Sequence, residues 1–565
     1  MLTLKAVWCL FCFLPTTLAL WPIPRGITTG STGIKLSPTF NVVTNIHGRI
    51  PQDLSEAITR SQTRLKNDTF ERLVLGRGSA DSAKIANAPH ITCLTLSLSP
   101  GVHVKSISEE ATVAIDSREE GYVLTVPASG AVASLTANST LGLFRGLTTF
   151  EQLWYTYKGE KYILNAPVII SDQPAFPYRG FSLDTSRNFY PVSDILRTLD
   201  AMSWVKMSIL YWHVADSQSF PLSLSKFPQL AAKGAYSEEE VYTESDVRQI
   251  VKFANERGID VVMELDTPGH TTAIGAAYPE HIACLNKSPW SKYANEPPAG
   301  QLRIASNATI SFVETLFQTV IGLLNSTMMS SGGDEVNLPC WMEDEETVAD
   351  LEKDNGTIAE ALNQFIGHIQ EVMKKNNKRP FIKSDMILTH NVPVTNDTVA
   401  VVWQTSADAA AMASRGVHFI HQPSNYFYLD CGAGDWVGNN VLGNSWCDPF
   451  KTWQRAYSFD PFANLTTEQH SLVLGGQMPL WSEQSSSENL DPIVWPRLAV
   501  AAEVFWTGAT LPDGTPRVSP NATSGTAAFD RLNELRYRLV DRGVKAIALQ
   551  PKWCILRPGD CDVDA

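Results

Sequence analysis

The sequence predicts an α/β protein, a (β/α)8 barrel preceded by a smaller α+β domain, and three observations carry that expectation. From Phe181 onward, short apolar runs alternate with longer stretches whose apolar residues recur at the helical period, as repeated strand–helix units require. Nearly all of those runs end in carboxylates, histidines, an arginine or indoles, the residue types expected where the carboxyl ends of barrel strands converge on one mouth. Before Phe181 the texture is different, with period-two alternation beside a few helical stretches. A chain of 565 residues, 44% of them hydrophobic, suits one large barrel plus a smaller domain better than one compact unit.

Residues 1–20 read as a signal peptide: Lys5 precedes the apolar run 6–20, which reaches a small-residue site near Thr17-Leu18-Ala19 and is too short to span a bilayer. Residues 21–175 are expected to form the α+β domain, with strands at 91–98, 112–115 and 122–126 and a helix near 139–154. Residues 176–565 are expected to form the barrel, with strands at 181–184, 208–214, 260–265, 328–331, 381–383, 399–403, 418–421 and 472–476. Between them, 194–204, 245–257, 311–324 and 358–374 show helical apolar spacing.

The net charge of −14 argues against nucleic acid or an anionic membrane as partner, because the basic cluster Lys374-Lys375 with Lys378-Arg379 is short and reads as a solvated helix end. N-x-[ST] sequons at Asn67, Asn138, Asn286, Asn307, Asn325, Asn355, Asn396, Asn464 and Asn521 agree with a secreted chain, extracellular or cell-wall associated. Removing Cys9 and Cys12 with the leader leaves seven of the nine cysteines, an odd number that implies disulfides and one spare thiol. Cys554 and Cys561 are near enough to close a small loop, and Cys431 and Cys447 flank a Gly/Asn-rich loop. Cys284 is left with Cys340, and Cys93, in the alternating run 93–98, is expected to be the buried spare. Once the leader's Cys9 and Cys12 are set aside, no C-x-x-C or H-x-x-x-H spacing points to a metal.

The sharpest local signal is Gly332-Gly333-Asp334-Glu335, two adjacent acids after a short strand, with glycines that would let the backbone approach a ligand. Adjacent carboxylates on an extended segment point to opposite sides, so the two acids are suited to different atoms of one substrate. The bland alternative is an acidic turn at a helix start. Arg187, after the first barrel strand, has a fork suited to vicinal sugar hydroxyls, although a lone arginine there is more often in a surface ion pair. Asp266-Thr267-Pro268-Gly269-His270 would fix His270, which with Asp216 could form a dyad holding Glu335 in the right protonation state. Trp403, Tyr428 and Trp481 fall at strand ends where sugar faces could stack, and Glu483 follows the last strand.

With these blocks in view the chain resembles the glycoside hydrolase family 20 β-N-acetylhexosaminidases over nearly all of its mature length. The blocks are Leu143 to Phe150, Arg179 to Arg187, Asp266 to His270, Gly332 to Glu335, Tyr428-Leu429-Asp430 and Leu480-Trp481-Ser482-Glu483. The stretches Tyr426 to Trp436 and Asn444 to Phe450 look like the fungal branch, whose cysteine pairs correspond to the three above. The resemblance implies an exo-acting retaining enzyme that removes terminal GlcNAc or GalNAc from amino-sugar oligosaccharides by substrate-assisted catalysis, an exception to the two-carboxylate scheme. Glu335 would be the general acid, Asp334 would hold the acetamido nitrogen and Tyr428 its oxygen. Arg187, Asp430 and Glu483 would bind ring hydroxyls, Asp216 and His270 would tune Glu335, and Trp403 and Trp481 would wall the acetamido methyl. It implies no cofactor, and since fungal relatives are often dimers, a homodimer is a candidate assembly.

Three positions depart from the family pattern: Tyr211 and Ser330 stand where histidines are usual, and Lys383 stands where a tryptophan of the acetamido pocket is expected. Lys383 keeps open a catalytically weak amino-sugar-binding homologue, against which the presence of Asp334, Glu335 and Tyr428 argues. A glycosidase with a protein nucleophile would instead need another carboxylate about 5 Å from Glu335.

Overall fold

The computed structural model describes residues 18–518 and 526–563; the leader up to residue 17 and the sequon at Asn521 lie outside the described residues. In the amino-terminal domain, strands β1 (Gly26–Asn45), β2 (His90–Leu98), β3 (Tyr122–Val126), β4 (Ala131–Ala137), β5 (Tyr155–Tyr157) and β6 (Glu160–Asp172) form one mixed sheet in the order β1-β2-β4-β3-β6-β5. Helices Gln52–Asn67 and Thr140–Gln152 cover one face, where Leu54, Ile58, Leu141 and Leu147 pack on Leu94, Leu124, Leu135 and Ile170. Val43, Val123, Val132 and Ile169 remain exposed.

The strand expected at 112–115 is not formed. Ser106 and Glu109 make a reciprocal cap that starts a helix at Ile107–Ala111, and the chain turns out of it at Thr112. Ile115 instead packs among Tyr178, Ile209, Tyr211 and Val262 inside the barrel. Among the described residues Cys93 is the free thiol, but it is half-buried: alternation puts Leu94 and Leu96 on the covered face and Cys93 with Thr95 on the other.

The barrel strands are β7 (Tyr178–Asp184), β8 (Ile209–Ala215), β9 (Asp260–Leu265), β10 (Met328–Ser330), β11 (Arg379–Lys383), β12 (Val399–Val402), β13 (His418–His421) and β14 (Val473–Leu480). They pair in parallel in chain order, and β14 returns to β7 to close the ring. Nearly every residue of these strands is buried, on one face by the barrel interior and on the other by the surrounding helices, so apolar residues dominate most of them. Helices Val192–Trp204, Glu244–Asn255, Asn307–Ile321 and Ile358–Lys375 occupy the expected segments; Thr243, Ser306 and Thr357 cap the last three through their side-chain oxygens. The last strand runs through Gly475-Gly476 and Pro479 to Leu480, past the end expected at residue 476. A Cβ at Gly475 would sit 1.9 Å from the Tyr178 carbonyl oxygen, and one at Gly476 2.4 Å from Phe505, so close approach to neighbours requires the glycines.

Buried ion pairs join the two domains. Glu120 accepts from Arg145 (2.8 Å) and from Arg179 (2.5 Å), while Asp172 accepts from Tyr122 (2.7 Å), Lys206 (3.1 Å) and the Trp506 indole (3.0 Å). Arg118 reaches across to Asp260 at 2.7 Å. Disulfides join Cys284 to Cys340, Cys431 to Cys447 and Cys554 to Cys561.

Candidate active site

The carboxyl ends of the strands deliver their polar residues to one open pocket at the mouth of the barrel. Arg187, Asp216, His270, Asp334, Glu335, Trp403, Tyr428, Asp430, Trp481 and Glu483 all line it, so every non-cysteine site residue expected from the sequence is brought together.

Asp334 and Glu335 leave β10 on a backbone that is not extended. Gly332, Gly333 and Glu335 have φ of 63°, 104° and 55°, all in the left-handed region. The glycines serve neighbouring protein groups: a Cβ on Gly332 would lie 2.0 Å from Asp266 Oδ1, and one on Gly333 2.8 Å from Met386. Asp266 takes the space so left and accepts from the Gly333 N–H at 2.7 Å.

A chain of hydrogen bonds sets the acid side. Asp216 is ion-paired with Arg187 (3.0 Å) and lies 2.8 Å from His213 Nε2 and 3.0 Å from His270 Nδ1. His270 Nε2 lies 3.4 Å from Glu335 Oε2, completing the anticipated dyad. Burial alone would raise Asp216, but Arg187 and His270 hold it well below the usual range. Burial disfavours protonated His270, yet Asp216 and Glu335 hold it well above an ordinary histidine. His213 is likewise raised to about 10, its desolvation outweighed by hydrogen bonds to Asp216 and Glu264. Glu335 keeps 29% of its side chain exposed, so it faces the open side of the pocket.

On the opposite side Asp334 is 5% exposed. Its Oδ2 accepts from Lys383 at 3.3 Å, while its Oδ1 is buried with no hydrogen-bond partner. Burial would raise it, but Lys383 and His270 hold it below the ordinary aspartate range. Asp266 is pushed well up by burial and by Asp334, as expected of two carboxyls sharing one site. Around this acceptor stands an aromatic box: Trp403, Tyr428 and the Cys431–Cys447 disulfide pack together with Trp481 against them. Trp403 is fixed by donating its indole N–H to Asp385 at 2.5 Å.

Arg187 has most of its fork committed to Asp184 (3.1 Å), Asp216 (3.0 Å), Gln218 (3.0 Å) and Glu296. Burial pushes Asp430 up to about 7 and Glu483 well above the glutamate range. Protonated carboxyls in that position donate hydrogen bonds to hydroxyls as well as accept them.

Two pocket residues were not singled out in the sequence. Glu296 lies before Pro297-Pro298 in a loop with no strand signal, and Trp446, 67% exposed, stands at the mouth edge-on to Trp403 (5.8 Å) and Tyr428 (5.7 Å). An indole beside the disulfide cysteine Cys447 was the available signal for the second. Asp216, His270 and Glu296, and also Asp266, His270 and Asp334, each bring three donor atoms within 4.8 Å, but Arg187 and Lys383 already supply countercharge there.

Paired acids, buried carboxyls and clustered indoles at the mouth of a parallel barrel make the kind of site a sugar-cleaving enzyme presents. A family model described as "Glycosyl hydrolase family 20, catalytic domain" matches residues 176–509, and one described as "beta-acetyl hexosaminidase like" matches residues 20–153. The chain belongs to glycosyl hydrolase family 20 and is a glycoside hydrolase of the β-hexosaminidase type. Beta-hexosaminidase 1 of Coccidioides posadasii is 32% identical over 526 residues, covering 88% of this chain and 85% of that protein. The chitooligosaccharidolytic β-N-acetylglucosaminidase of Ostrinia furnacalis is 35% identical over 466 residues, 78% and 75% of the two chains. Among solved structures, the Flavobacterium johnsoniae chitobiase superposes with a TM-score of 0.73 at 25% identity, covering 93% of this chain and 73% of its own.

Proposed function

We propose that the protein is a secreted exo-β-N-acetylhexosaminidase that releases terminal GlcNAc or GalNAc with retention, using the substrate's acetamido group as nucleophile. Glu335 gives its proton to the glycosidic oxygen as the bond to the anomeric carbon breaks, and the acetamido carbonyl oxygen attacks that carbon to form an oxazolinium ion. Asp334 accepts the amide N–H, Tyr428 donates to the amide oxygen, and Glu335 then takes a proton from the water that reopens the ring. The tethered nucleophile has a high effective concentration, and the indoles keep water off the intermediate until the aglycone has left.

The observation that carries this reading is Asp334 Oδ1, a buried acceptor without a hydrogen-bond partner among the described residues, in a pocket walled by Trp403, Tyr428 and Trp481. A buried unsatisfied carboxylate oxygen is costly unless a ligand satisfies it. The exposed face of Trp446 suits stacking of the sugar that leaves, and the names of the insect relatives support chitooligosaccharides as one substrate class. The extracellular location rests on the leader and the sequons.

The test is release of a chromogenic phenol from β-GlcNAc and β-GalNAc glycosides by the wild type and by Glu335→Gln. The wild type is expected to cleave at least one, and the variant to lose about 10²-fold or more in kcat. A wild type inert to both refutes the enzyme reading, and equal cleavage of a 2-hydroxy analogue refutes substrate assistance.

A further inference from the structure

Resting on that reading, we propose that Lys383 is a positioning residue for the acetamido group: its ammonium anchors Asp334 by one carboxylate oxygen and so presents the other, ionised, to the substrate's N–H.

Lys383 is fully buried at the end of β11, beneath the pocket. Its Nζ lies 3.3 Å from Asp334 Oδ2, 3.4 Å from Glu264 Oε1 and 4.9 Å from the centre of the Trp481 ring. Among the described residues it is the one lysine or arginine within 4.0 Å of Asp334. A buried ammonium survives only with carboxylate partners, and this one has two.

The three departures from the family pattern meet here. Tyr211 and Ser330 (2.8 Å) donate to Glu264 Oε2, while Lys383 faces Oε1, so the residues that replace two imidazoles and an indole form one connected set around Glu264.

The floor therefore holds two carboxylates bridged by one ammonium, and His213, 2.8 Å from Glu264 Oε1 and raised to about 10, adds a cation on the Glu264 side, so Lys383 is the cation in contact with Asp334. As the amide becomes an oxazolinium, positive charge grows on the substrate nitrogen that faces the free oxygen of Asp334, and a fixed negative charge there requires no reorganisation. Without Lys383 the carboxylates would repel and one would take a proton. Glu264 keeps His213 (2.8 Å), Tyr211 and Ser330 as donors, so the proton would go to Asp334 and turn an acceptor into a donor. Other titratable groups facing this site are Asp266 from β9, His270 from the loop after it, Glu335 beside Asp334, Asp385 after β11, and Tyr428 after β13. Asp266 and Asp385 are pushed up towards their neutral forms and Tyr428 is held protonated by burial, so the further cations near this site are His270 and His213, the latter in contact with Glu264 and Asp216 rather than with Asp334.

The experiment is steady-state hydrolysis of a chromogenic β-N-acetylglucosaminide from about pH 3 to pH 9 by the wild type, Lys383→Met, Lys383→Gln and Lys383→Arg. The Met and Gln variants are expected to lose about tenfold or more in kcat with KM within about threefold, and their acid limb in kcat/KM to move up by about one pH unit or more. The Arg variant is expected to keep the wild-type acid limb. Should Met misfold, Gln carries the same test. An acid limb unmoved in the neutral variants, a loss confined to KM, or an Arg variant that behaves as they do would overturn the inference. An active wild type with any of these outcomes refutes Lys383 alone, whereas an inactive wild type refutes the functional reading beneath it.

Discussion

Asp334→Asn exposes the division of labour between the two acids. Lys383, 3.3 Å away, has only hydrogens to offer, so it holds the oxygen of the new amide on the Oδ2 side. The NH2 then takes the place of the partnerless Oδ1 and meets the substrate's N–H donor to donor. The substitution therefore removes a charge-assisted hydrogen bond, worth about 1.5–3 kcal/mol, and adds a buried unmade one of similar size. Because that bond strengthens only as charge develops on the amide nitrogen, the loss belongs mainly to the transition state, and about 10²–10³ in kcat is expected, comparable to deleting one preorganised partner of a developing charge. Asp334→Ala, which leaves no misdirected donor, should be no worse than Asn. Initial rates over a range of chromogenic β-GlcNAc concentrations separate kcat from KM. A fall in kcat below about threefold, or a change confined to KM, would refute the argument.

Three further outcomes follow from the same geometry. Arg187→Met strips Asp184, Asp216 and Glu296 of their shared cation and should cost about 3–5 kcal/mol in denaturant unfolding as well as activity; a loss under about 1 kcal/mol would count against the buried network. Replacing Cys431 and Cys447 by serine opens a closure with a sequence separation of 16, predicted to lower stability by about 3 kcal/mol on a loop-entropy estimate, and KM should rise because Tyr428, Asp430 and Trp446 flank that closure. His213 is raised in the folded state to about 10 from an unfolded value of about 6.5. Its contribution is therefore complete below about 6.5 and is lost as pH rises through about 10, so wild-type stability should decline across that window more steeply than that of His213→Gln, as read from denaturant midpoints.

Much of the barrel was legible because its strands are buried on both sides and must be written as apolar runs, while chemistry collects where each run stops. Arg187, His270, Asp334 and Trp481 could all be placed by that rule before any distance was known. The rule fails where a residue is held by something other than its own strand. Glu296 reaches the pocket from an irregular loop through its contact with Arg187, and Trp446 is carried there by a disulfide-closed excursion. The last strand, expected to end at residue 476, runs on to Leu480; sequence shows that Gly475 and Gly476 lack side chains but not the Tyr178 backbone and Phe505 ring that require it. The long β1 gave little signal, since Gly26 to Thr32 is small and polar and is held by pairing with β6. Lys383 was visible as an anomaly, but its meaning required seeing Glu264 and Asp334 on either side of it.

The seam between the two domains limits what can be cut away. A fragment beginning at residue 176 would retain Arg179, Lys206 and Asp260 but lose Glu120, Asp172 and Arg118, stranding charges that are at most 1% exposed in the intact protein. It would also bare the underside of the ring where Ile115 inserts. The sheet domain therefore acts as a permanent lid on the end of the barrel remote from catalysis, and shortening this enzyme to its barrel would yield an insoluble fragment rather than a smaller catalyst.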